Sequence, residues 1–191
     1  MSVEPQAPVP ALTLQSERPD DGPLVDALID RAFGPGRFTK VSERVREFAA
    51  FAPELSVCAW QAGRLLGCAR MWRVKVGGRP VAFLGPFAVE QEERNAGFGA
   101  RLIARACEAA RAAGETHVLL VGDESYFGRI GFTRAGGRAV IMPGPVDRRR
   151  VLVCALGPHA GELAGPVEPL EAGGGRAYLP GHGGRGGETG A

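Results

Sequence analysis

Gly97 and Gly99 close the run Arg94-Asn95-Ala96-Gly97-Phe98-Gly99, directly at the start of an amphipathic stretch. Apolar residues recur at Phe98, Leu102, Ile103, Ala106, Cys107, Ala110 and Ala113, a spacing of three and four that puts them on one helix face. Arg101, Arg105, Glu108 and Arg111 take the other face, and Gly114 stands where a left-handed residue ends a helix. The first N–H groups of a helix have no partner inside it, and the aligned peptide dipoles make that end partly positive. Glycines at the junction leave the backbone bare and accept φ > 0 at little cost. The junction therefore suits an anion, and a diphosphate is its natural guest. A plain strand–loop–helix turn, with two glycines for geometry, is the other reading of these residues. Leu102 stands where the dinucleotide-binding fingerprint needs its third glycine, and no Gly-Lys-Ser/Thr phosphate loop occurs.

Such a junction needs a strand before it and a strand after it. The apolar run 81–89 supplies the first, with the polar loop 90–93 between, and 117–122 (HVLLVG) supplies the second. A β-α-β unit of this kind is expected to be parallel and right-handed, with a crevice at the ends of its strands. Upstream, 11–15 reads as a short strand. Asp21 with Pro23 starts a helix whose inward face is Leu24, Val25, Leu28, Ile29, Ala32 and Phe33, and Gly34 stops it. A second helix is expected over 39–50, with Val41, Val45 and Phe48 inward, ended by Pro53. Strands 55–61, 64–76 and 79–89 are joined by the turns Ala62-Gly63 and Gly77-Gly78, so they should run antiparallel. A further apolar strand spans 151–156.

The 94–99 run resembles motif A of the GNAT superfamily of N-acetyltransferases, Gln/Arg-x-x-Gly-x-Gly/Ala, with Arg94, Gly97 and Gly99 in its fixed places. Asn95 replaces a frequent glycine, and asparagine is the next-best residue for left-handed backbone. Residues 123–132, DESYFGRIGF, are similar to the second signature of that superfamily, a short helix ending in Gly131-Phe132. With the closing GPHAGELAGPV, they look most like its YhbS-like branch. The resemblance runs from about residue 12 to 170. It implies a mixed α/β fold: a central, mostly antiparallel sheet with a splayed parallel strand pair and flanking helices. It implies acetyl-CoA as cosubstrate, its pyrophosphate held by Arg94, Asn95, Ala96, Gly97, Phe98, Gly99 and Ala100. The pantetheine arm would pair with the backbone of Phe87, Ala88 and Val89.

Acetyl transfer from a thioester to an amine needs a neutral amine, a donor for the developing oxyanion and a proton for the leaving thiolate. A backbone N–H near Ala88 or Val89 suits the second need. For the third, superfamily members commonly use a tyrosine four residues before the glycine of Gly-Phe. Here that position is Phe127, which has no proton to give and counts among the cofactor-contacting residues. Its neighbour Tyr126 is the candidate acid, although adjacent helical positions point about 100° apart; packing of Tyr126 in the core, with water as the acid, is the alternative. Candidate bases are Asp123, which could instead cap the short helix, and Glu90, Glu92, Glu93 and Glu124. The acceptor site is expected from the first two helices and the late strand, where Arg37, Arg44 and Arg46 either attract an acidic substrate or form a solvated face. The reading is thus direct N-acetylation of an amine in a ternary complex. A non-catalytic acyl-CoA-binding module of the same fold is the alternative, favoured by Phe127.

At 191 residues the chain is long enough for one domain with a proper core. We expect a disordered 1–10, a domain over 11–170 and a flexible, glycine-rich tail over 171–191. A formal net charge of +2 gives no argument for nucleic acid, and Arg148-Arg149-Arg150 reads as a solvated turn. No apolar run reaches the roughly 18 residues of a membrane span, and 1–10 lacks the pattern of a signal peptide. The scattered cysteines Cys58, Cys68, Cys107 and Cys154 show no metal-ligand spacing, so no metal is expected. They read as reduced core residues of a cytoplasmic protein. A homodimer is one assembly open to such a domain.

Overall fold

The computed structural model describes residues 10–94, 97–136 and 140–170; the expected ends 1–9 and 171–191, and the motif residues Asn95 and Ala96, lie outside them. Strand β1 (Thr13–Ser16) leads to helix α1 (Gly22–Phe33) and helix α2 (Val41–Phe48). Strands β2 (Ala50–Phe51), β3 (Val57–Gln61), β4 (Arg64–Val76) and β5 (Arg79–Val89) follow. Helix α3 (Phe98–Ala112) crosses to β6 (His117–Val121), and then comes the one-turn helix α4 (Glu124–Phe127). Strands β7 (Thr133–Arg134), β8 (Val140–Ile141), β9 (Val151–Ala155) and β10 (Gly165–Pro169) complete the described chain.

The strands form one mixed sheet in the order β1-β3-β4-β5-β6-β9-β7. Antiparallel pairs dominate, as the two-residue turns at 62–63 and 77–78 require. The β5–β6 pair is parallel, as a helical crossover demands. The far edge of β4 is covered in succession by β3, β2 and β10. The expected helix 39–50 is shorter: Ala49 is its C-cap, and Ala50 instead opens β2. The short strands β2, β7 and β8 carry too few residues for a period to be read, and two prolines, Pro166 and Pro169, stand within β10.

Side chains of β5 alternate between two apolar layers. Ala82 and Leu84 join Leu102, Ile103 and Ala106 of α3 on one face. Val81 and Phe83 join Val41 and Val45 of α2 on the other. Both faces are covered, which is why 81–84 and 117–120 read as unbroken apolar runs rather than alternating ones. Helix α1 closes the sheet near β3 and β4, with Val25, Leu28 and Ile29 packed on Cys58 and Cys68. Ala113, on the apolar stripe by spacing, is exposed one residue past the end of α3.

The parallel ladder is short. Register runs from Ala82 opposite Val118 to Leu84 opposite Leu120 and stops there. The next residues are Gly85 and Pro86, joined by a cis peptide bond. Proline has no N–H to give a neighbouring strand. Both residues bulge opposite Arg70, because β4 pairs Met71 with Leu84 and Ala69 with Phe87. Two side chains fix the bulge. Trp72 Nε1 donates to the Gly85 carbonyl at 2.6 Å. Arg70 turns inward and is held by Glu17 through several hydrogen bonds, the shortest at 2.7 Å, and by Asp26 of α1 at 2.6 Å.

The side chains of Arg70 and Glu17 are each only 4% exposed, so removing one partner leaves a buried charge unpaired. Arg70→Ala should cost about 3–5 kcal/mol, the range for breaking a buried pair. Arg64→Ala, whose pair with Glu92 lies at the surface, should leave the denaturation midpoint in place. Urea denaturation of both variants checks this; equal, small shifts would mean that the Arg70 network is idle.

Candidate functional site

Past Gly85-Pro86 the two parallel strands diverge, and a cleft of about 820 Å³ opens between them. That volume lies in the usual range of small-molecule sites. One wall is Phe87, Ala88 and Val89, which pair with Ala69, Cys68 and Gly67 of β4 on one edge. No pairing of these three with β6 occurs, so their other edge faces the cleft. The facing wall is Val121, Gly122 and Asp123. Helix α3 closes one end through Gly99, with Arg94 beside it, and α2 closes the other.

The start of α3 has the features expected of an anion site. Gly97 is the N-cap at φ 75°, a left-handed conformation, and has no side chain to cap with. A Cβ there would meet nothing within 4 Å, so the space over the backbone is open. The N–H groups of Gly97, Phe98, Gly99 and Ala100 have no intrahelical acceptor. Phe98 offers only its backbone, since its ring is in the core. Gly99 is required by crowding rather than by φ: a Cβ there would lie 2.7 Å from Tyr126 Oη and 3.2 Å from Phe87 Cζ. Arg94 is exposed at the cleft mouth.

Helix α4 brings both of its aromatics to the cleft. Tyr126 and Phe127 stand edge to face with centroids 5.0 Å apart, and Phe87 lies 6.0 Å from Tyr126 and 6.1 Å from Phe127. Phe127 also packs on the buried Phe132 of the Gly-Phe ending, where Gly131 has φ 94°. Tyr126 is 39% exposed, so it is not a core residue. Burial of the rest of the ring raises its phenol above the ordinary value. At neutral pH it is a proton donor, not an acceptor.

Asp123 caps α4: its carboxylate accepts from Ser125 N–H at 2.9 Å. That hydrogen bond is the main cause holding its pKa below the usual carboxylate range, which makes it a weaker base. Of the other acids, Glu124 pairs with Arg134 and Glu90 pairs with Arg31. Glu90, Glu92, Glu93 and Glu124 are not among the residues lining the cleft. His117 is buried and engaged, with Nε2 at 2.9 Å from the Gly161 carbonyl. Arg148-Arg149-Arg150 forms the exposed turn expected, and Arg150 reaches the Gly122 carbonyl at 3.4 Å. Among the described residues no group of three His, Cys, Asp or Glu is placed to hold a metal, and no helix is long and apolar enough to cross a membrane.

The α2 end of the cleft holds Arg37, Glu43 and Arg46. Arg37 and Arg46 were open to two readings by sequence; both are largely buried rather than solvated. Arg44 does not line the cleft. Gly85 and Pro86, which create the opening, were read only as part of a strand. Gly-Pro inside a strand pattern was the available signal.

A family model described as the Acetyltransferase (GNAT) family matches residues 23–136, more than half of the chain. The YhbS protein of Escherichia coli K12, named an uncharacterised N-acetyltransferase, is 27% identical over 126 residues, covering 65% of this chain and 75% of that one. A crystal structure of E. coli YhbS in complex with CoA superposes with a TM-score of 0.72 at 23% identity, over 92% of this chain and 100% of that chain. A GNAT family acetyltransferase from Brucella melitensis, in complex with acetyl-CoA, superposes at 0.62 and 24% identity, over 84% and 97%. Both likenesses show a shared fold.

The raised phenol of Tyr126 is directly measurable, because Tyr126 and Tyr178 are the two tyrosines of the chain. Tyrosinate absorbance of wild type minus Tyr126→Phe should titrate with a midpoint above about 10, the ordinary value. A midpoint at or below that value would mean the ring is solvated and not desolvated by the cleft.

Proposed function

We propose, from the premise that this chain belongs to the GNAT acetyltransferase family, that it transfers an acetyl group directly from acetyl-CoA to an amine in the cleft. The observation that carries this reading is the opening between β5 and β6, with the bare N-terminus of α3 at its end. CoA and acetyl-CoA are the molecules bound in the E. coli and B. melitensis structures. The fit is physical: a diphosphate matches four free N–H groups at a positive helix end, and Gly97 leaves open space for it. Arg94 adds charge at the mouth. The open edge of Phe87, Ala88 and Val89 supplies backbone partners for an extended amide-bearing arm, as an added strand would.

The residues then divide the reaction among them. A backbone N–H at Ala88 or Val89 stabilises the developing oxyanion. Tyr126, protonated and standing over Gly99, gives its proton to the leaving thiolate. Phe127 and Phe87 hold the Tyr126 ring and exclude water from that side. Asp123 positions α4 as its cap, and the amine loses its proton to solvent rather than to a buried base. The catalytic unit is 11–170, with 171–191 outside it, and every group invoked lies on one chain.

Phe127 supports a second reading, a non-catalytic acyl-CoA-binding module, because it stands where related enzymes carry the acid. Two variants separate the readings. Gly97→Glu fills the anion site with a side chain of the wrong charge and should weaken acetyl-CoA binding by calorimetry at least about 10-fold. Tyr126→Phe should leave that binding in place and lower kcat for thiol release about 10²-fold. Binding by wild type without turnover of any amine would favour the module; no binding at all would reject both.

A further inference from the structure

The α2 end of the cleft carries more positive charge than its neighbours neutralise. Arg46 is the central residue. Its side chain is 10% exposed, and Nη1 lies 3.7 Å from where a Cβ on Gly85 would sit. The guanidinium therefore stands at the fork where the strands part. Glu43 is its ion-pair partner, with Arg46 Nε donating to Oε2 at 3.3 Å. The same carboxylate also faces Arg37, with Nη1 3.7 Å from Oε1. Arg37 gives Nη2 to Asp30 at 2.8 Å, but Asp30 is 61% exposed and screened by water. Arg37 Nε and Glu43 Oε1 are both buried without a hydrogen bond, although Oε1 is ion-paired with Arg37 and Arg46. Lys40, over the Phe33 ring at 4.9 Å, lines the same wall. The other acids of the lining are committed elsewhere, Asp123 to Ser125 N–H and Asp147 to Arg149.

Two guanidiniums thus converge on one buried carboxylate in a partly dry site, and the second partner of Arg37, Asp30, is exposed. Burial is the largest influence on Arg46, and it lowers its pKa despite Glu43, so the charge is held there at a cost. A carboxylate on a ligand would offset the remaining charge. The guanidinium fork is shaped for carboxylates.

We propose that the acceptor amine carries a carboxylate seated on Arg46 and Arg37: an amino acid or an amino-acid-like compound. The inference rests on the acetyl-transfer reading and names the class of its acceptor. Gly85 lies two residues before Phe87, across the cis bulge and so within about 7 Å of it, the most that one cis and one trans step allow. A carboxylate at Arg46 therefore leaves an amine one or a few carbons away facing the edge at Phe87 and Ala88. The amine nitrogen forms the C–N bond as the C–S bond breaks; one proton leaves the amine, and one joins the thiolate. A polyamine or a lysine side chain would bring a further cation against the two guanidiniums, so the site selects by repulsion as well as by pairing.

The test is thiol release from acetyl-CoA, with product mass, on the twenty proteinogenic amino acids, their α-carboxamides and spermidine. At least one free amino acid should be acetylated with kcat/KM about 10-fold or more above its carboxamide, and spermidine should be poor. Arg46→Gln should cut that acid-to-amide ratio about 10-fold with acetyl-CoA affinity kept. Because Arg46 is buried, melting curves accompany it, and Arg37→Gln carries the same expectation at the more exposed partner. Carboxamides or spermidine turned over as well as the acids would overturn the carboxylate site and leave acetyl transfer standing. No turnover of any amine, with acetyl-CoA still bound, would overturn the transfer reading and this inference with it.

Discussion

Pro86 has no N–H, and β5 cannot continue its parallel ladder with β6 beyond Leu84. The rest of the site depends on that. Gly85 and Pro86 are absorbed as a bulge opposite Arg70, which re-aims the chain without breaking its pairing to β4. Phe87, Ala88 and Val89 resume the ladder with β4 while their other edge stays unpaired. A parallel pair that held to its end would have spent those backbone groups on β6 and left no cleft. Trp72 holds the Gly85 carbonyl, and Arg70 ties the bulge to Glu17 and Asp26. The opening is therefore pinned from the β4 side by two side chains, and α1 is tied to the same point.

Polar groups left over by the fold then collect in the opening. Helix α3 must follow β5 to cover its apolar face, and in doing so its N-terminus arrives at the mouth with bare N–H groups. Helix α2 covers the opposite face through Val41 and Val45, which brings Arg46 and Glu43 to the fork. The core is thus satisfied on both sides of the sheet, while one strand edge and one helix end face the cleft, and Arg37 and Arg46 converge there on the buried Glu43. Their charges are complementary to an elongated anion at one end and a smaller one at the other.

Most of this frame was legible in the chain. The apolar runs 81–89 and 117–122, the two-residue turns and the 3.6-period stripe of α3 each depend on local pattern, and each element formed where its pattern lay. Asp123 as the cap of α4 was legible for the same reason. What escaped reading depends on tertiary pairing. Strand β10 is recognisable only once Val167 sits opposite Val76. Asp21 was expected to cap α1, but its carboxylate accepts from Arg18 N–H and closes the preceding turn instead. The sequence left Arg37 and Arg46 between a solvated face and a substrate site, because burial of a helix face against a cleft has no period of its own. The Gly85-Pro86 bulge is the instructive omission: a proline inside a strand marks where pairing ends, and here the end of pairing is where the site begins.

The central claim, that the unpaired edge of β5 and the start of α3 together receive acetyl-CoA, is tested most directly by a crystal structure of the protein with CoA or acetyl-CoA. The account predicts the pyrophosphate within hydrogen-bond reach of the N–H groups at Gly97, Phe98 and Gly99, and the pantetheine arm against the backbone of Phe87 and Val89. The thiol should end beside Tyr126, with Gly85-Pro86 unmoved. A cofactor bound outside the fork, or an arm that leaves the Phe87–Val89 edge to water, would contradict it.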